Sequence, residues 1–409
     1  MSTDNMKEKL SSIRQEFHQC AEEGWMEFRT TIKIIEYLKV MGYDIYYGRQ
    51  IHSNPMGMPG KEEMDTYRNK CMSMKIGNND SYSDIFEGYT GALAVLDTGI
   101  PGPVVAFRFD IDGIKSKNGV AHLCGHDGHI AIGLVFAKTI MDMKNKLRGK
   151  IKLIFQPAEE GVRGAKSIVE SGALEDVDYF FGGHLGIIDD DMAIGVRAHN
   201  MLATDKINIT FTGKAAHASL APEKGRNALL AAASCILGLH SQIQFGSGMA
   251  RLNVGVLHGG RGKNIIADKA VIELESRGET NEINDRILEI INNVVKGTAI
   301  AFGVQEEIQV VGEAAAYNYQ KDEFSEKIIG ILKELRIKIL SDFDFGASED
   351  VTHMLSAVEN HGGKGLFFLF PSHLKAPHHS PDFDFQEESM FIAHSCYRKV
   401  LESVMKGDI

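Results

Sequence analysis

The chain has 409 residues, 44% of them hydrophobic and 24% charged, which is enough apolar mass for about two ordinary globular domains. A formal net charge of −11 excludes a general affinity for nucleic acid or anionic lipid, since both require a basic surface. The polar first residues lead us to expect no signal peptide, apolar runs fall short of the roughly 18 residues of a membrane span, and the five scattered cysteines form no disulfide framework, so a cytoplasmic protein is expected.

Apolar residues at Ile13, Phe17, Trp25, Phe28, Ile32, Ile35 and Leu38 predict helix over about 4–42. Residues 54–84 are polar and rich in Gly, Met and charge, and read as a long loop or an inserted excursion. Strands are predicted at 91–97 and 104–109, a helix at 128–142, a strand at 150–155, a helix at 164–172 and a strand at 179–183. Strands alternate with helices, and polar residues cluster just after strand ends. That predicts an α/β fold with a doubly wound, mostly parallel sheet and a site at its carboxyl edge.

The pattern changes near residue 200. A strand at 206–212, a helix at 227–240, strands at 250–257 and 269–277, a helix at 283–302 and a strand at 305–311 give the order β-α-β-β-α-β. This is a ferredoxin-like α+β arrangement. We therefore expect a catalytic domain at 1–199 and 314–409, interrupted by a lid or dimerisation domain at 200–313, with hinges near 198–205 and 312–316. Helices at 322–335 and 348–358, a buried strand at 365–370 and a last helix at 386–405 complete the chain.

Four clusters carry chemistry. His122, Cys124, His126, Asp127 and His129 crowd into eight residues, and a thiolate with imidazoles suits zinc or a similar ion. The other reading is a reduced cysteine among capping histidines. Glu159 and Glu160 follow the apolar run 150–155, where one carboxylate can bind metal while its neighbour serves as general base. By itself such a pair more often means a solvated acidic turn or a helix cap. His184 stands between glycines after a strand, and His378 and His379 follow the buried strand 365–370, one of them completing the set.

GHDGH at 125–129, FQPAEEG at 155–161, GGHLG around His184, HAS and PEKGRNAL within 217–229 and HHSPDFDF at 378–385 together resemble one family. It is the aminoacylase/carboxypeptidase family of co-catalytic metallohydrolases, in particular the amidohydrolase branch of hippurate, indole-acetyl-amino-acid and aminobenzoyl-glutamate hydrolases. The resemblance runs in order along nearly the whole chain. It implies two divalent ions, zinc or manganese, held by Cys124 as bridging ligand with His126, Glu160, His184 and His379, the last preferred over His378 by motif match. It implies Glu159 as general base, Asp112 orienting a ligand, and His217 contacting the substrate carboxylate or the oxyanion, often across a dimer. Arg277 and Asn264 would hold the amino-acid carboxylate.

The expected reaction is hydrolysis of an N-acyl or N-aroyl amino acid such as p-aminobenzoyl-glutamate, in a homodimer formed through the lid. Other N-acyl amino acids or dipeptides remain alternatives, as does a non-catalytic role beside a second hydrolase subunit. Ile130 departs from the family's usual threonine, and the 54–84 segment is longer than in simple relatives.

Overall fold

The computed structural model describes residues 3–77 and 80–409. It contains two compact units, one made of Met1–His199, Asn318–Phe345 and Asp350–Ile409, the other of Asn200–Tyr317 and Gly346–Glu349.

In chain order the first unit begins with α1 (Thr3–His18), α2 (Phe28–Met41), β1 (Asp44–Tyr47), α3 (Lys61–Ser73), β2 (Ala92–Asp97), β3 (Val104–Asp110), β4 (Ile114–Ser116), β5 (Gly119–Ala121) and α4 (His126–Asp142). It continues with β6 (Lys150–Gln156), α5 (Gly164–Glu170), β7 (Tyr179–Leu185) and β8 (Ala193–His199). The second unit holds β9 (Ala203–Thr212), α6 (Ala228–Gln242), β10 (Ala250–Gly259), β11 (Lys269–Gly278), α7 (Asn281–Phe302) and β12 (Gln305–Ala314). The chain returns to the first unit for α8 (Glu323–Leu332), β13 (Lys338–Asp344), α9 (Val351–Asn360), β14 (Lys364–Phe370) and α10 (Glu388–Lys406).

The helix expected over 4–42 is two helices. Between them the buried Glu22 carboxylate accepts the Arg29 and Thr30 amides at the start of α2. Trp25, in a left-handed conformation, buries its ring and donates to the Met56 carbonyl. This turn is held by the Glu22 carboxylate and by long-range ties to Met56 and Gly113, so helical periodicity alone runs straight through it. The 54–84 excursion is not simply a loop, because α3 lies inside it; its residues 78–79 fall outside the described residues. Strands β1, β4, β5, β8 and β13 were not expected. β1 and β13 are largely exposed or half-exposed edge strands, which carry little apolar signal.

The main sheet has the order β1-β2-β6-β3-β7-β14-β8-β13. β6, β3, β7 and β14 are parallel neighbours; β2 runs against β6 and β1, and β8 runs against β14 but parallel to the edge strand β13. This is the mostly parallel α/β sheet expected. Its two faces are covered by different helices: in β7, Gly182 faces Val351 of α9 and Gly183 faces Tyr397 of α10. A Cβ at Gly183 would lie 2.7 Å from the Tyr397 hydroxyl, so the glycine sets how closely α10 approaches. Phe107, Phe136, Phe181 and Tyr397 form an aromatic core under that helix.

The second unit is a four-stranded antiparallel sheet, β10-β11-β9-β12. Ile207, Ile209 and Phe211 of β9 and Ile272 and Leu274 of β11 pack against Ile287, Ile291 and Val295 of α7. The opposite face presents the alternating polar residues of the strands, the usual result of one-sided burial.

His52 is buried in the first unit, with Nε2–H donating to the Thr90 carbonyl and Nδ1 accepting from Ser167. Burial pushes its pKa down from 6.5 to about 4. The unfolded imidazole takes up its proton near 6.5 and the folded one only near 4. Stability is therefore full above pH 6.5 and is lost as the pH falls toward 4. We expect His52→Gln to flatten the loss of unfolding free energy between pH 6.5 and 4 by an amount on the order of 2–3 kcal/mol, read from urea titrations at several pH values.

Candidate metal centre

Because β6, β3, β7 and β14 run parallel, their carboxyl ends share one edge, and each is followed by a segment carrying chemistry. Asp110 ends β3 and Asp112 follows it; Glu159 and Glu160 follow β6; His184 lies near the end of β7; His378 and His379 lie in the loop after β14. Cys124 and His126 flank Gly125, whose φ of 87° is the left-handed turn that places the thiol just before α4 and makes His126 its first helical residue. The His379 amide donates to the Leu123 carbonyl, which ties the last loop to the cysteine segment and holds His379 in its own left-handed conformation.

His126 donates from Nδ1 to the Asp112 carbonyl at 3.0 Å. Its other nitrogen, Nε2, is buried and makes no hydrogen bond among the described residues. It faces carboxylate oxygens of Asp110, Glu159 and Glu160 at 3.7, 3.8 and 3.7 Å. His379 Nε2 lies 3.4 Å from Glu160, and the Cys124 sulfur lies 3.5 Å from His184 Nε2. Two donors on one tetrahedral zinc-like ion stand about 3.4–3.6 Å apart, given bonds of about 2.0–2.3 Å. The nitrogen–carboxylate separations are too long for good hydrogen bonds, and the 3.4 and 3.5 Å separations suit shared coordination. The residues therefore fit the metal they were expected to hold.

Electrostatics agree. Burial depresses the His126 pKa, but Asp110, Asp112 and Glu160 overcome it and carry it up to about 10. Burial raises Glu160 to about 7, with His126 opposing and Asp112 adding to the rise. Burial, then Glu160, Glu159 and Asp110, push the Cys124 thiol well up. The cluster is short of positive charge, and a divalent cation reverses each of these shifts.

The two late histidines differ. His378 accepts the Ile187 amide at Nε2, leaving Nδ1 to point at the Cys124 sulfur at 3.4 Å. His379 turns Nε2 toward Glu160. His129 uses both nitrogens, donating to Asp110 and accepting from the Leu185 amide.

Several supporting residues were not anticipated from sequence. Asp110 is gripped by Arg108, which also donates to Gln156 and reaches Asp350, all of them fully buried. Asp350 in turn accepts the Ala165 amide. Glu27 accepts Thr90 and the Ala158 amide, bracing the turn that presents Glu159 and Glu160; burial and then Asp112 raise it to about 8. The available signal was Arg108 and Asp110 inside the otherwise apolar strand VVAFRFD, since charges there must be paired.

His217, Asn264 and Arg277 lie in the second unit. His217 pairs with Ile265, and the Ala218 amide donates to the Asn264 carbonyl, so these two segments are adjacent. Arg277 lies near the far end of β11, eight residues beyond Lys269, roughly 26 Å along the strand. There it contacts Glu275 and lines a cavity of about 580 Å³ with Arg251, His240 and Asn253. Within one copy, Arg277 does not meet His217 and Asn264.

A doubly wound sheet with thiol, imidazole and carboxylate donors at its carboxyl edge, interrupted by a separate α+β unit, defines a metal-dependent hydrolase of linear amides. A profile of peptidase family M20/M25/M40 matches residues 106–403, and the chain belongs to that family. It is 38% identical to a Haemophilus influenzae homolog of one subunit of p-aminobenzoyl-glutamate hydrolase, over 97% of this chain and 98% of that one. It is 37% identical to indole-3-acetyl-aspartic acid hydrolase of Enterobacter agglomerans, over 94% and 93%. Among solved structures, an aminobenzoyl-glutamate utilization protein from Klebsiella pneumoniae superposes with a TM-score of 0.84 at 32% identity, covering 99% of this chain and 97% of that one. The chain is an M20-family amidohydrolase acting on acyl amino acids.

Asp110→Asn removes the carboxylate shared by Arg108, His129 and the His126 side of the cluster. We expect divalent-metal affinity to fall about 10–100-fold in chelator competition, with the fold retained by circular dichroism.

Proposed function

We propose that the enzyme hydrolyses the amide bond between an aromatic acyl group and an acidic amino acid, p-aminobenzoyl-glutamate being the first candidate. The observation that carries the chemistry is the buried His126 Nε2 facing three carboxylates with no hydrogen-bond partner among the described residues. The substrate class is supported by the relatives, whose names pair aromatic acyl groups with glutamate or aspartate.

Cys124, His126, Glu160, His184 and His379 would hold two divalent ions. Zinc suits the thiolate, and manganese is the alternative. When bound, the ions supply Lewis acidity and a water of lowered pKa. Glu159, almost buried beside the ligands, accepts the proton of the attacking water and returns it to the leaving amine. Asp112 orients His126 and the Glu160 amide. His217 stabilises the oxyanion, and Arg277 and Asn264 fix the free carboxylate.

The distance along β11 gives the last assignment a consequence. A site using Arg277 together with His217 and Asn264 draws them from two copies. A homodimer through the second unit is supported by the unpaired edge of β10 and by Leu230 and Leu237, exposed on one face of α6. That unit then serves as lid and dimerisation domain. A different second subunit is the other reading, favoured by the subunit designation of a relative. No described helix is long and apolar enough to cross a membrane, and the five cysteines are unpaired and buried, which suits a reducing cytoplasm.

The deciding experiment offers the isolated zinc- or manganese-loaded protein p-aminobenzoyl-glutamate, indole-acetyl-aspartate, hippurate, N-acetyl amino acids and a dipeptide, with and without chelator. Chelator-sensitive cleavage strongest on an aromatic acyl glutamate or aspartate is expected. Cleavage of none of them by metal-loaded protein would sink the reading and point to a missing subunit. Glu159→Gln should lower kcat about 10²–10⁴-fold at unchanged metal content. Mixing inactive His217→Ala and Arg277→Ala proteins should restore about a quarter of wild-type activity, from the one complete site of each mixed dimer; no recovery would rule out the shared site.

A further inference from the structure

We propose that Arg14 of α1 is a positioning residue for the metal centre, and that it does so by clamping together the two segments that bring Cys124/His126 and His378/His379 to the site. The inference rests on the metal-binding reading above.

The Arg14 guanidinium is nearly buried, with 11% of its side chain exposed, and its three nitrogens reach three carboxylates. Nε lies 3.3 Å from Asp127, Nη2 2.5 Å from Asp384 and Nη1 3.2 Å from Glu387. Asp127 follows His126 directly in the first turn of α4, whereas Asp384 and Glu387 close the loop that begins after β14. His18, one turn further along α1, adds a second contact to Asp127 at 2.8 Å.

The same guanidinium lies over the Phe385 ring, 4.0 Å from its centre. A Cβ added at Gly128 would sit 2.7 Å from that ring, so Phe385 lies flush against the first turn of α4. Phe385 neighbours Phe383, whose ring packs on His378 at 4.5 Å. One planar cation thus binds the helix start behind His126 on one side and the root of the histidine loop on the other. Lysine, a point charge on a flexible stem, cannot reproduce the three-way fork or the stacking.

Between Phe370 and Glu388 the described chain has no helix or strand, and His379 itself sits in a left-handed conformation. The loop's backbone is tied at Lys375–Asp384 and, across to the cysteine segment, from the His379 amide to the Leu123 carbonyl. The Arg14 clamp adds side-chain ties at the loop's root, and orienting groups of this kind typically tune metal affinity about 10–100-fold.

The test measures zinc affinity by competition with a chromogenic chelator for the full-length wild type, Arg14→Ala, Arg14→Lys and Lys7→Ala. Lys7 pairs with Glu388 from the same helix but touches neither ligand segment. We expect affinity to fall at least 10-fold in Arg14→Ala and by an intermediate amount in Arg14→Lys, with Lys7→Ala within twofold of wild type. Asp384→Asn with Glu387→Gln opens only the loop side of the clamp and should reproduce the loss, which keeps the test open if Arg14→Ala does not fold. Equal affinity in Arg14→Ala and wild type, or an equal loss in Lys7→Ala, overturns the inference, the latter showing that α1 matters only by docking. If the wild type itself binds no zinc or manganese, the metal-binding reading has failed and this inference falls with it.

Discussion

Negative charge gathered in a dry place governs this structure. Asp110, Asp112, Glu159, Glu160 and Glu27 converge at the carboxyl edge of the main sheet, mostly screened from water. Charges there are costly unless paired. Arg108 answers part of the demand from below, within the sheet, by pairing with Asp110. What remains falls on His126, which is driven toward protonation, and on the carboxyl of Glu160, which is driven toward neutrality. Divalent metal would satisfy that remainder and turn an electrostatic liability into a catalytic centre.

The scaffold follows from this need. Parallel neighbours β6, β3, β7 and β14 bring four strand ends to one line, so that donors distant in sequence stand a few ångströms apart. Glycines at 182 and 183 admit helices closely on both faces of β7 and keep the edge rigid. The network from Arg108 through Gln156 to Asp350 locks β3 to β6 and to the start of α9, just beneath the ligands. The second unit's polar sheet face and exposed α6 suit recognition and assembly.

Much of this was legible in the chain. Alternating apolar strands and amphipathic helices announce the α/β sheet and the inserted α+β unit, because burial of one face imposes a period that sequence preserves. Glu160 and His184 stand out as candidate ligands in the chain, since each lies beside a glycine where an apolar strand run ends, and Cys124 and His126 stand out by crowding around Gly125. The tie between β14's loop and α1 through Arg14 was not, because an arginine on an amphipathic helix reads as a solvated residue until its partners are in place.

Tertiary structure alone decided the rest. Periodicity could not separate α1 from α2, whose junction is held by the buried Glu22 carboxylate and the Trp25 ring. It gave edge strands β1 and β13 no clear signature, since half-exposed strands carry little apolar signal. It could not tell His378 from His379, neighbours that the loop turns in different directions, one to the Ile187 amide and one to Glu160. The resemblance pairs Arg277 with Asn264, whereas Asn264 precedes β11 and Arg277 lies near that strand's far end. The sequence determined which residue types are present and the periods on which they recur; direction and distance between residues far apart in the chain are properties of the fold.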